Sequence, residues 1–360
     1  MHGGDIYSNK IKLDFSVSIN PLGASGNVRR AVAEALKADS SIIEQYPDQK
    51  CRKLAAALSD KLKLPESQIL FGNGASELIP ALFRALKVRR GLLLAPCFSG
   101  YERAFKSLHE CGISIEYSFF TLSRRSKFQL DEKQLEELAK CVEAQKPDIL
   151  VVTNPNNPDG SMKPLHLMER LAACCRGTGT KLLIDECFMA LSDGYETCSF
   201  VPRLADYPEV MVLDAFTKSY ALPGLRLGYL LCSDESVIEK TRLQLAEWSV
   251  SSVAQAAGVA ALQDVGYLEC SRKLIQEERR FLCAGLEKLG FEVFSSSSCF
   301  VLFYSQKENR LREKLINCGI LIRDCRDFPG LGSGFYRIGI KSHAENQALI
   351  EAVKEVCALS

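Results

Sequence analysis

Apolar residues recur along this chain in two rhythms. Between residues 69 and 232 short runs are apolar at nearly every position: Ile69–Phe71, Gly91–Pro96, Asp148–Val152, Lys181–Ile184, Val210–Asp214 and Tyr229–Cys232. Such runs predict strands covered on both faces. Ser114–Phe119 adds another. Between them the apolar positions fall three and four apart, which predicts helices over Leu78–Leu86, from Cys97–Tyr101 to His109, over Leu130–Cys141 and over Leu165–Cys175. Strands alternating with helices predict βαβ units and a parallel or mostly parallel sheet.

The flanks read differently. Leu13–Ile19 alternates apolar and polar residues until Asn20-Pro21-Leu22-Gly23 breaks the pattern, so residues 1–26 are expected to form an extended arm. Helices are expected over Asn27–Ala38 and Cys51–Leu62, with a break at Tyr46-Pro47. Beyond the last apolar run the chain reads as helical over Ser233–Gln263 and Val265–Leu289. Strands Phe291–Phe294, Phe300–Tyr304 and Tyr336–Ile340 follow, with helices Asn309–Cys318 and His343–Leu359. The expected division is an arm (1–26), a large α/β unit (27–232), linking helices (233–265) and a smaller α+β unit (266–360).

Composition narrows the function classes. With 47% apolar and 25% charged residues in 360, the chain can bury a large core. A net charge of +1 gives no broad field for nucleic acid or an anionic membrane. No apolar run is long enough for a membrane span, and Met1–Asp5 lacks the pattern of a secretory leader. Fifteen cysteines without a CxxC pair predict free thiols in a reducing cytoplasm. They do not cluster with the four histidines, so no metal site is expected.

Chemistry-bearing residues stand where the apolar runs end. Lys218 follows a hydroxyl residue in Ala215-Phe216-Thr217-Lys218, and Arg226 lies in the Gly-rich turn Pro223-Gly224-Leu225-Arg226-Leu227-Gly228. A lysine can carry an aldehyde, and an arginine fork suits a phosphate. After Ile69–Phe71, Gly74, Ala75 and Ser76 open a helix whose backbone N–H groups can bind an anion. Asp185 can pair with a protonated pyridine nitrogen, Asn157 with a phenolic oxygen, and Phe98 can stack on a ring. Taken singly, Ser76 or Asp185 could be a helix cap and Phe98 a core residue. Together, on successive strand ends, they point to pyridoxal 5'-phosphate.

Asn154-Pro155-Asn156-Asn157-Pro158, Asp185-Glu186 and Thr217-Lys218…Arg226-Leu227-Gly228 resemble the fold-type I aminotransferases, in particular the histidinol-phosphate aminotransferase branch. His2-Gly3-Gly4, Leu13–Gly23 and Ala95–Ala104 resemble the threonine-phosphate decarboxylases of that branch. The resemblance implies a large domain with a mostly parallel sheet and a smaller α+β domain. It implies Lys218 as the aldehyde-bearing lysine and Asp185 as the ring-nitrogen partner. Ser76, Thr217 and Arg226 would hold the cofactor phosphate. Tyr46 would reach a neighbour's cofactor across a homodimer. His2, Asn20, Asn157, Arg323 and Arg337 would line the substrate site, unless an acid such as Asp324 or Asp327 claims Arg323. The activity implied is decarboxylation of O-phospho-L-threonine. Amino transfer to a phosphorylated substrate such as histidinol phosphate, or action on O-phospho-L-serine, are the alternatives. Ala215 stands where the family carries a hydroxyl, Phe188 where the aminotransferases carry Tyr, and Ala190-Leu191 where an acidic-aromatic pair is expected.

Overall fold

The computed structural model describes residues 3–37 and 40–358. Its strands are β1 (Leu13–Asp14), β2 (Ile69–Gly72), β3 (Arg90–Ala95), β4 (Glu116–Thr121), β5 (Ile149–Thr153), β6 (Lys181–Asp185), β7 (Val210–Ala215), β8 (Gly228–Cys232), β9 (Glu292–Val293), β10 (Phe300–Tyr304), β11 (Ile320–Leu321), β12 (Arg323–Asp324) and β13 (Phe335–Gly339). Seven of them form one sheet in the order β2-β8-β7-β6-β5-β3-β4. All neighbours from β7 to β4 run parallel, and β8 is antiparallel to both β7 and β2.

The continuous apolar runs are the centre of this sheet because each face must be covered. Leu92, Leu150, Leu182 and Val212 enter the core on one side. Their chain neighbours Leu93, Val151, Leu183 and Met211 enter the core on the other. The parallel strands therefore end together, at Ala95, Thr153, Asp185 and Ala215, and the chemistry-bearing turns leave from that edge.

A second, antiparallel sheet has the order β12-β13-β10-β9. The helices Tyr267–Lys288 and His343–Ala358 belong to its separate core, with Ile275, Leu282, Leu349 and Val353 buried there. The N-terminal arm joins this unit. Leu13 pairs in parallel with Ile320, and the Gly339 N–H donates to the Phe15 carbonyl at 2.8 Å.

One expected helix is two. The stretch read as helical over Ser233–Gln263 forms helices Glu235–Arg242 and Ser252–Leu262. Between them Trp248 takes a positive φ of 54°, and the Ser251 side chain caps the second helix by accepting from the Ala254 N–H. A serine cap and a left-handed residue end one helix and start another despite continued helix-forming composition.

Candidate active site

At the C-terminal edge of the large sheet lies a cleft of about 250 Å³. β7 leads into the short helix Phe216–Ser219, which presents Lys218 to it. Phe216 anchors that helix, stacked on Tyr220 at 5.2 Å and edge-on to Tyr229 at 5.7 Å. Lys218 Nζ is 5.8 Å from the centre of the Phe188 ring. Burial, and then the Arg337 guanidinium, push the Lys218 pKa below its ordinary value. Both raise the fraction of neutral amine, which is the nucleophilic form.

Asp185 ends β6 and is 6% exposed. Its Oδ2 accepts from the Tyr101 hydroxyl at 2.5 Å and its Oδ1 from the Cys187 N–H at 3.0 Å. Tyr101 Oη also lies 3.2 Å from Thr153 Oγ1. Burial, followed by the Asp185 charge, drives the Tyr101 pKa far above its ordinary value, so the phenol stays a donor and fixes the carboxylate. Phe98 stands edge-on to Tyr101, with ring centres 5.8 Å apart. Sequence reasoning missed Tyr101 as a site residue, although it lies three positions after Phe98 on the same turn.

Opposite, the helix Ala75–Ala85 begins three residues before the expected start, with Gly74, φ 77°, as its N-cap. Its first N–H groups have no partner within the helix. Ser76 Oγ accepts from Arg226 Nη2 at 2.9 Å, and Arg226 Nη1 donates to the Pro223 carbonyl at 3.3 Å. Two glycines make this approach feasible. A Cβ on Gly74 would lie 2.5 Å from Arg226 Nη2, and one on Gly228 would lie 2.5 Å from the Ala75 nitrogen. Buried Thr217 also lines the cleft. Helix N–H groups, two hydroxyls and a guanidinium form a donor set that suits a phosphate. With Lys218 and Asp185 beyond it, the site can hold a phosphorylated pyridine aldehyde.

The remaining wall is cationic. Arg323 and Arg337 face each other in register on β12 and β13 and are 6% and 8% exposed. Arg337 Nη1 donates to Asn157 Oδ1, and Nη2 donates to the Ser16 carbonyl at 3.2 Å. Its Nε is buried without a partner, as is Ser18 Oγ, and both residues line the cleft. Among the described residues no carboxylate pairs with Arg337. Arg323 does have one: Nη2 donates to both oxygens of Asp327, at 2.8 and 3.0 Å.

The cleft thus gathers Ala75, Ser76, Phe98, Asn157, Asp185, Thr217, Lys218, Arg226, Arg323 and Arg337. Two residues named from the sequence do not line this cleft, one of them, Tyr46, being expected at a neighbour's cofactor instead. Asn20 is buried away from it, donating to the Ser219 carbonyl at 2.8 Å and Ser271 Oγ at 2.7 Å while accepting from the Leu22 N–H. It ties the arm to the lysine turn. Tyr46 is 78% exposed and stacks on Trp248 at 4.4 Å, over a separate groove. His2 lies outside the described residues. Ala215 lines a cavity behind the lysine turn, and the Ala190 carbonyl accepts from Arg272 Nη1 at 3.0 Å.

The sequence pattern of the family described as "Aminotransferase class I and II" matches residues 10–353. The threonine-phosphate decarboxylase of Salmonella typhimurium is 36% identical over 99% of this chain and 96% of its own length. Among solved structures, the histidinol-phosphate aminotransferase from Clostridium acetobutylicum superposes with a TM-score of 0.83 at 28% identity, over 97% of this chain and all of that one. The L-threonine-O-3-phosphate decarboxylase from Porphyromonas gingivalis gives 0.82 at 22% identity, over 96% and 99%, a likeness of fold. This chain belongs to the class I and II aminotransferase family and, within it, groups with the threonine-phosphate decarboxylases.

Proposed function

We propose that this protein uses pyridoxal 5'-phosphate to decarboxylate O-phospho-L-threonine, giving CO2 and (R)-1-aminopropan-2-yl phosphate for the nucleotide loop of cobalamin. The observation that carries the reading is the pair of buried arginines on β12 and β13 that close the cleft around Lys218. Arg337 is buried with no carboxylate partner among the described residues, which is costly, while Arg323 is held by Asp327. A substrate with two anionic groups would offer a partner to both arginines.

The chain's own groups fit the cofactor. Ser76, Thr217, Arg226 and the N–H groups of Ala75 and Ser76 would hold its phosphate, Asp185 its ring nitrogen, Asn157 its phenolic oxygen and Lys218 its aldehyde. When bound, the cofactor supplies a ring that accepts the electron pair left as CO2 departs. Tyr101 keeps Asp185 aimed, Phe98 restrains the ring face, and Arg323 and Arg337 set the orientation of the substrate. A proton replaces the carboxylate on the α carbon, and the Lys218 amine is placed to carry protons. Phe188 offers no hydroxyl beside Lys218, in keeping with the decarboxylase pattern.

We further propose a homodimer. Tyr46, Trp248, Ile43 and Leu243 are large apolar side chains left 78%, 39%, 78% and 81% exposed, and an isologous interface would cover them. All fifteen cysteines are free, which fits a reducing cytoplasm. No helix among the described residues is long and apolar enough to cross a membrane. The activity is tested by incubating the holoenzyme with O-phospho-L-threonine and following CO2. A parallel incubation with histidinol phosphate and 2-oxoglutarate tests amino transfer, the activity named for the Clostridium acetobutylicum structure. CO2 without amino transfer supports the proposal, and the reverse overturns it.

A further inference from the structure

Arg323 borders two cavities. On its inner side is the cleft of Lys218. On its outer side is a vestibule of about 260 Å³ whose wall includes Arg312, Asp324, Arg326 and Asp327. The carboxylate that engages Arg323 comes from the outer side. Asp327 borders the vestibule and not the cleft, and its side chain is 34% exposed while that of the arginine is 7% exposed. Asp324, the nearer acid in sequence, bonds to Arg326, whereas Asp327 bonds to Arg323. The next residue, Phe328, lines the cleft and lies 5.1 Å below the guanidinium. Arg323 is therefore held by its own chain at the boundary between the two spaces.

We propose that Asp327 is a displaceable counter-ion that competes with the substrate's phosphate for Arg323 and lets the phosphorylated product leave. This rests on the decarboxylase reading given above. Decarboxylation removes the carboxylate as CO2 but leaves the phosphate on the product. An arginine free to hold that phosphate would hold product as firmly as substrate. An internal carboxylate restores the ion pair when the product moves off, so the guanidinium is never buried unpaired. Arg323 is the arginine suited to this end of the substrate. It borders the vestibule as well as the cleft, whereas Arg337 lines the cleft and not the vestibule and bonds to Asn157. Asp327 acts through Arg323 and is a positioning residue.

The test is calorimetric titration of the holoenzyme with inorganic phosphate. Removing a competitor that occupies Arg323 about nine-tenths of the time strengthens anion binding about tenfold. Asp327→Asn and Asp327→Ala should each tighten phosphate by that factor and lower KM for O-phospho-L-threonine similarly. Asp327→Glu, which keeps the charge, should stay near the wild type. In an Arg323→Ala background the Asp327→Asn effect should vanish. Phosphate affinity that is unchanged or weaker in both Asn and Ala variants overturns the proposal. Wild-type protein that binds phosphate yet releases no CO2 from O-phospho-L-threonine would overturn the substrate reading alone, since the titration still reports on Asp327.

Discussion

Lys218 works among charges of its own sign. Arg337 lies on the same cleft, and burial removes the water that would stabilise an ammonium, so the lysine gives up its proton below the ordinary value of 10.5. Aldehyde capture by the apoprotein should reach half its maximum at a pH below that value. Arg337→Leu should move the midpoint upward without restoring it fully, because burial remains. The absorbance of the lysine–pyridoxal adduct against pH measures this, and Lys218→Ala should show no adduct. A midpoint that falls in Arg337→Leu would mean the arginine does not act on the lysine. Lys218 and Asp185 could be read from the sequence because they stand at or just after the ends of apolar runs, where a parallel sheet presents side chains, and Arg226 because it lies in the Gly-rich turn that leads into the next run. Asn20 could not be placed that way. Its partners Ser219 and Ser271 lie 199 and 251 residues away, and only the folded chain shows that they use up its side-chain amide.

At the scale of elements, the phosphate end of the cleft is a junction of two backbone turns. β8 runs against β2, and Gly228 pairs with Gly72. This places Gly228 against the first residue of the helix Ala75–Ala85. Gly228→Ala should push that helix start away and misplace its N–H groups. The expected result is pyridoxal phosphate affinity weakened by an order of magnitude or more, from loss of about 1–2 charge-assisted contacts. Fluorescence titration of the apoprotein checks it, and unchanged affinity would mean that the helix start is not part of the phosphate site. The alternation of strands and helices was legible because continuous apolar runs have one physical use, a strand covered on both sides. The antiparallel course of β8 was not, since a buried strand looks alike in either direction. The break at Trp248 was hidden too, because Leu245-Ala246-Glu247 carries helix-forming residues and only φ at Trp248 and the Ser251 cap reveal the turn.

Across the molecule as a whole, stability should depend on two acids, buried Glu186 and half-buried Asp214, that line the cavity behind the lysine turn. Burial pushes the Glu186 carboxyl up to about 8 and that of Asp214 up to about 7, from ordinary values of 4.5 and 3.8. The folded protein then keeps protons that the unfolded chain has released. Their contribution is fully present below about pH 4 and is lost as pH rises toward about 8. The melting temperature should fall by a few degrees or more between pH 5 and 8 from this cause. Glu186→Gln with Asp214→Asn should flatten the profile. An unchanged slope in the double variant would show that other groups set it. The dimer is tested at the same scale. Sedimentation should give twice the chain mass of 39.9 kDa, and Tyr46→Ala with Trp248→Ala should weaken association. An active monomer would contradict shared sites. The central claim is the fate of one substrate, and the most direct measurement is CO2 released per O-phospho-L-threonine consumed by the holoenzyme. The arrangement of Lys218, Asp185, Arg323 and Arg337 predicts one CO2 per substrate with an aminopropanol phosphate formed and no keto acid. Consumption without CO2, with the amino group passed to 2-oxoglutarate, would contradict it.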